Sequence, residues 1–171
     1  EMIFKIINFV LFQAAWFVCV LGASYDRTYL ALTLSLIILL LHFAIIKNRM
    51  LELKLIIIAG LIGLLFDGAL LNFDLIIYND PGLPYPFTPI WIVMLWMIFA
   101  ITLNHSLAWL SQKIYISILF GAMGGPLAYI AGEKLGAITL LSTNSIITLS
   151  IGWALITPIL LTIANKLNKN V

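Results

Sequence analysis

Six apolar stretches, each close to the length needed to cross a bilayer, follow one another through 171 residues, and the ionisable side chains fall mostly between them. Lipid is the natural solvent for such a chain. Its residues are 63% hydrophobic and 9% charged, whereas a soluble globular domain is about a quarter charged. Six helices of about 20 residues consume most of the length and leave no room for a separate soluble domain. The expected architecture is therefore all-α: a single polytopic bundle of six transmembrane helices. Spans are expected over Ile3 to Ala23, Tyr29 to Ile46, Leu53 to Asn72, Thr88 to Leu110, Ile114 to Gly132 and Ser145 to Asn165.

The basic residues set an expected orientation. Lys5, Lys47, Arg49, Lys54, Lys113, Lys166 and Lys169 fall on one side, and only Arg27 and Lys134 on the other, which places both termini in the cytoplasm. A net charge of +2, without a clustered basic face, argues against a nucleic-acid partner. Cys19 is the only cysteine and sits inside the first span, so neither an intrachain disulfide nor a thiolate metal site can form; it reads as a small packing residue. Glu1 reads as an extra residue ahead of a natural initiator. A cleaved signal peptide is the rival reading of residues 3 to 23, opposed by Asn8, Gln13 and Trp16, which interrupt the apolar run.

On the non-cytoplasmic side the connection from Phe73 to Phe87 contains Asp74, Asp80 and the run Pro81-Gly82-Leu83-Pro84-Tyr85-Pro86. Prolines at this density fix φ and remove donors, so a semi-rigid cap or re-entrant loop is expected, flanked by Tyr78 and Trp91 as interfacial belt aromatics. Two halves of three spans would have opposite membrane orientation, but their sequences do not match one another.

Polar residues held within spans are the candidates for function, because hydrocarbon penalises them unless they find partners. His42, about 13 residues into the second span, and His105, about 17 into the fourth, reach similar depths by helical rise. Asn104 lies beside His105, and Asn8 is near the inner end of the first span, so all four occupy the cytoplasmic third and can converge. On the fourth helix Thr102, His105, Ser106 and Trp109 lie along one face. Such a set can bind a polar headgroup, relay a proton or hold a cation; the structural alternative is interhelical hydrogen bonding. A metal site is the least attractive of these readings, since two histidines without an adjacent carboxylate or cysteine supply too few ligands, and no cofactor is expected. Glu52, in the cytoplasmic connection, can approach, though the sequence does not place it.

Asp67 is the carboxylate inside a span, on the same face as Gly60 and Gly63, where a neighbouring backbone can come close. It reads equally as a proton carrier, a counter-ion or a hydrogen-bond acceptor. Glu133 and Lys134 read as an interfacial pair. In the fifth span Gly121, Gly125, Ala128 and Gly132 form a smooth ridge suited to another helix, within this chain or in a partner protein, and Pro126 frees the carbonyl of Ala122. A kink there is favoured over a broken, cavity-lining helix. No soluble-type catalytic motif appears, no catalytic residues are assigned, and Asp67 and His105 lie at opposite depths, which argues against a dyad.

The stretches NFVLFQAAWFVCVLGA (Asn8 to Ala23), WIVMLWMIFAITLNHSLAWL (Trp91 to Leu110) and GPLAYIAGEKLGA (Gly125 to Ala137) resemble a bacterial inner-membrane family described as a domain of unknown function, DUF2878. The resemblance runs over the whole chain, with NHSLAWL and GPLAYIAG its most specific parts. It implies a small multi-pass protein of the Gram-negative inner membrane, often encoded near enzymes that modify membrane fatty acids, and supplies no activity. The matching positions are Asn8, Gln13, Trp16, Asn104, His105, Ser106, Trp109, Gly125, Pro126, Tyr129 and Gly132. Three functions are compatible. The first is a non-enzymatic protein that binds or moves a membrane lipid or small amphipathic ligand through Asn8, His42, Asn104, His105, Trp109, Asp67 and Tyr129. The second is an intramembrane lipid-modifying enzyme using His105 and Asp67. The third is an accessory subunit, like the membrane components of modular vitamin transporters, that offers its glycine ridge to a partner.

Overall fold

The computed structural model describes residues 2–79 and 86–169. Asp80, Pro81, Gly82, Leu83, Pro84 and Tyr85, the greater part of the proline-rich run, lie outside the described residues. Six α-helices occupy most of the rest: α1 (Met2–Ser24), α2 (Thr28–Ile45), α3 (Arg49–Asn72), α4 (Ile90–Leu103), α5 (Ile114–Lys134) and α6 (Thr143–Lys169). All but α4 are long and apolar enough to cross a membrane. Their outward faces carry aliphatic and aromatic side chains such as Leu30, Leu65, Leu127 and Leu155, each at least half exposed, as a lipid-facing surface requires.

Hydrogen bonds between distant residues show which helix ends lie together. Asn8 near the start of α1 donates to Ile101 O near the end of α4, and Asn168 at the end of α6 donates to Asn104. At the opposite end Ser24, closing α1, donates to Leu135 O after α5, and Ser145, opening α6, donates to Leu75 O after α3. Successive helices therefore run in alternating directions. The pairs α1–α2, α3–α4 and α5–α6 are tightly packed, and α4 also lies against α1.

The fourth helix departs from expectation. Instead of reaching Leu110 it stops at Leu103, with Asn104 as its C-cap. His105 N and Leu107 N both turn back to Thr102 O, and a short 3-10 segment, Ala108–Gln112, completes the passage to α5. Asn, His and Ser compete for backbone partners and end a helix readily, whereas hydropathy registers only the flanking apolar residues. The supposed continuous face of Thr102, His105, Ser106 and Trp109 therefore does not exist.

A small sheet was not expected either. β1 (Ile76–Tyr78) and β2 (Ile138–Leu140) pair antiparallel, with Ile77 opposite Thr139. Gly136, at φ +82, adopts the left-handed conformation just past α5, where Ala137 N returns to Gly132 O and turns the chain into β2. Asn79 joins the two connections further, its N–H donating to Ala137 O. Tyr78 and Trp91, read as belt aromatics, instead point inward and are 5% and 1% exposed, because each has an internal acceptor to reach.

Glycine admits the bulkiest side chains. A Cβ at Gly63 on α3 or at Gly125 on α5 would overlap the indole of Trp96 or Trp153 respectively. At Gly63 the space beside Asp67 is thus filled by a side chain of α4, not by a neighbouring backbone as expected. Gly121 likewise lies against the backbone of Trp153, so α6 covers this part of the α5 ridge within the chain. The carbonyl of Ala122 freed by Pro126 has a partner in Ser150 Oγ at 2.9 Å, within an otherwise continuous helix. Cys19 is buried and lies 3.1 Å from Ser35 Oγ across the α1–α2 contact.

Candidate functional site

Polar side chains gather at two levels of the bundle, with an apolar cleft between α1 and α5. The first level is built where α2 ends, α3 begins and α4 breaks. Because α3 starts at Arg49, earlier than expected, Glu52 falls in its first turn, where the helix dipole favours a carboxylate, and is 3% exposed. The end of α4 delivers Asn104 and His105 to it: Asn104 Nδ2 donates to Glu52 Oε1 at 3.0 Å, and His105 Nε2 lies 3.1 Å from the same oxygen. His42, in the last turn of α2, presents Nε2 at 3.5 Å from Oε2. The two imidazoles meet edge to face at 5.2 Å between centroids, and Phe4 of α1 packs against His105.

Three of the residues singled out from sequence, His42, Asn104 and His105, thus converge, and the group that gathers them is Glu52. Asn8 sits alongside without joining them; its side chain accepts from Ser106 Oγ at 2.7 Å and donates to Ile101 O, fastening α1 to the broken end of α4. Trp109 does not belong to this cluster. It is 51% exposed, with the Lys113 ammonium 5.4 Å from its ring.

The second level surrounds Asp67, which is fully buried. Tyr129 and Tyr78 hydroxyls donate to its Oδ1 at 2.6 and 2.7 Å, and Trp96 Nε1 donates to Oδ2 at 2.6 Å. One carboxylate thereby ties together α3, α4, α5 and β1. Glu52 and Asp67 are 15 positions apart on α3, about 22 Å by helical rise, so Asp67 and His105 stand at different levels, as expected. Glu133 accepts from Leu140 N, supporting β2 instead of pairing with Lys134 as expected.

The cleft is the third feature. About 500 Å³ of space lies between α1 and α5, with α4 as its floor and Trp153 of α6 at its back. Phe12, Trp16, Leu95 and Phe99 give it an apolar wall, while Gly121, Gly124, Gly125 and Gly132 leave one side low. Polar residues are sparse in the lining: Gln13 at the rim, Tyr129, Thr157 and Trp153, the polar atoms of the last two being themselves buried. Among the described residues, Thr157 Oγ1 and Trp153 Nε1 have no hydrogen-bond partner. Of the residues expected to bind a ligand, only Tyr129 lines this space; Asn8, His42, Asn104, His105, Trp109 and Asp67 do not. Asp67 reaches it indirectly, by holding Tyr129 and Trp96 in its wall.

The sequence stretches carrying the expected resemblance form much of these features: Gln13 and Trp16 on the cleft, Asn104 and His105 on Glu52, Gly125 and Tyr129 on the opposite wall. A family model described as "Protein of unknown function (DUF2878)" matches residues 5–159. The chain belongs to this DUF2878 family. No curated protein and no solved structure matches it significantly. The DUF2878 match includes the Glu52 cluster, the Asp67 cluster and the whole cleft lining, and ends before Asn168.

Proposed function

We propose that this DUF2878 protein crosses a bacterial inner membrane six times, with both termini cytoplasmic, and binds or moves a lipid-like or small amphipathic ligand in the cleft between α1 and α5. The cleft carries the reading. Its volume lies within the ~300–1,000 Å³ of small-molecule sites, its wall is mainly aromatic and aliphatic, and its few polar groups are positioned singly. An acyl chain or comparable apolar body suits the Phe12, Trp16 and Phe99 wall. A polar end suits Gln13 at the rim. This assigns the polar end to a residue other than His42, Asn104 and His105.

The orientation rests on seven basic residues at one side of the expected topology and two at the other. α4 has only 14 residues, so the sixth crossing rests on α4 taken together with the turn and 3-10 segment that follow it. The accessory-subunit reading has less support from the ridge, since Trp153 already lies across Gly121 and Gly125; a partner helix would meet Gly124, Leu127 and Ala128 instead.

Gly124 supplies the test. A Cβ there meets nothing closer than Phe120 at 3.9 Å, so Gly124→Leu places an apolar side chain in the cleft lining with its Cβ in open space. Protein purified from native membranes in mild detergent should retain a lipid-like molecule detectable by native mass spectrometry, and Gly124→Leu should lose it at unchanged thermal stability. Equal retention by both would overturn the assignment. Comparing the lipidomes of deletion and parent strains separates binder from enzyme, since an enzyme leaves a missing product.

A further inference from the structure

We propose that His42, Glu52 and His105 form a binding site for a first-row divalent transition-metal ion of the zinc class. The site lies at the opposite level from Asp67, shares no residue with the cleft, and stands independently of the ligand-binding reading. Two imidazole nitrogens and one carboxylate are the donor set that holds zinc in hydrolytic sites and iron(II) in facial triads, in both cases leaving positions open to water or a ligand. Here the three donors come from three different helices or their ends, so the fold and not local sequence spacing assembles them.

The distances favour this reading. Zinc bonds to His nitrogen and carboxylate oxygen at about 2.0–2.2 Å, so two donors on a tetrahedral ion stand about 3.3 Å apart. His105 Nε2 and Glu52 Oε1 are separated by 3.1 Å, and His42 Nε2 and Glu52 Oε2 by 3.5 Å. The two separations bracket the donor spacing of a tetrahedral ion, and both also serve as hydrogen-bonding contacts to the carboxylate. Ligand atoms from all three residues lie within 4.8 Å of one another, so side-chain adjustments of about an ångström close the set.

The surroundings resemble a built ligand shell. Asn104 Nδ2 donates to Glu52 Oε1 and is itself held through its Oδ1 by Asn168 Nδ2 at 2.7 Å, fixing the carboxylate by a two-step relay. Phe4 and Phe43 pack against the imidazoles and limit their rotation. Glu52 and His42 are nearly inaccessible, while the His105 side chain is 19% exposed, giving an ion a route in from the helix-end side. One anionic carboxylate with two neutral imidazoles leaves a bound divalent ion with net charge +1, which suits an anionic or polarised oxygen as the remaining ligand.

The full-length detergent-solubilised protein, stripped with chelator and titrated with zinc against a chromophoric competitor, should bind one ion per chain. Glu52→Gln, which retains the side-chain volume and an acceptor for Asn104, should weaken binding more than about a hundredfold. His42→Ala and His105→Ala should do the same. Asn104→Ala, acting through a positioning residue, should weaken it by only about 10–100-fold. Should any of these variants fail to fold, the wild type still decides the matter: cobalt(II) loading should give the visible d–d bands of a four- or five-coordinate ion, and zinc X-ray absorption should report imidazole nitrogens at about 2.0–2.1 Å. A wild type that takes up no zinc, a zinc shell without imidazole, or variants that bind as tightly as the wild type would overturn the site.

Discussion

Trp96 of α4 and Trp153 of α6 stack with ring centroids 4.4 Å apart and planes 11° from parallel. Each indole lies over a glycine of a further helix, Gly63 on α3 and Gly125 on α5. Four helices are thus joined through two rings, and the near-parallel stacked contact adds to simple burial. Removing one ring leaves a large void at the back of the cleft. Trp153→Ala should cost about 3–5 kcal/mol, as other aromatic-to-alanine core changes do, read as a drop in unfolding midpoint in detergent. Gly125→Val should be similarly damaging because the new side chain meets the indole directly, whereas Gly124→Leu, one position away, should unfold like the parent.

Asp67 offers a graded series. Tyr129→Phe removes one of three donors while Tyr78 and Trp96 remain, and should cost about 1–3 kcal/mol in thermal or chemical unfolding. Asp67→Leu leaves all three donors buried without an acceptor, so its cost should exceed that of Tyr129→Phe. A leucine variant as stable as the parent would show that the carboxylate does not organise this level.

The Pro126 and Ser150 pair can be tested by a double-mutant cycle. Ser150→Ala leaves the Ala122 carbonyl unpartnered and should cost about 0.6–1 kcal/mol, the usual size of an interhelical hydrogen bond in membranes. In a Pro126→Ala background the restored amide at position 126 can donate to that carbonyl, and the Ser150→Ala cost should nearly vanish. Equal costs in both backgrounds would rule out the compensation.

Trp109 supplies the contrasting case. Half exposed and touching neither the cleft nor the Glu52 cluster, it should tolerate replacement by Ala to within about 0.5 kcal/mol, with metal uptake and ligand retention unchanged. A strong loss of either would place it nearer to function than its position indicates.

The spans at α1, α2 and α5 were legible in the sequence to within a residue or two, because hydropathy over some twenty positions leaves little choice. The similar depth of Asn8, His42, Asn104 and His105 was legible from helical rise, but which of them meet was not, since Asn8 pairs with Ser106 and Ile101 O while the other three gather on Glu52. The end of α4 was not: Leu107 and Leu110 keep the stretch apolar while Asn104 to Ser106 turn the backbone, and a transfer scale cannot see a turn inside an apolar run. The place of Glu52 on α3 is not visible in the sequence, because the start of α3 depends on Arg49 to Leu51 joining the helix and the contacts of Glu52 with His42 and His105 are tertiary. The pairing of Ile76–Tyr78 with Ile138–Leu140 joins segments some sixty residues apart, which no local pattern records. The cleft lay hidden for a related reason, since its emptiness depends on how far α1 stands from α5. Its glycines and aromatics were visible, but they read as packing.

The strand ladder at one end of the bundle has a mechanical consequence. It stitches the exit of α3 to the hairpin of α5 and α6, so those segments cannot part there without breaking backbone hydrogen bonds. At the same end Ser24 of α1 donates to Leu135 O after α5, so α1 is tethered at that rim as well and its separation from α5 is freer toward the opposite end. Under the ligand-binding function proposed above, an apolar guest would enter sideways between α1 and α5 and leave by the same door.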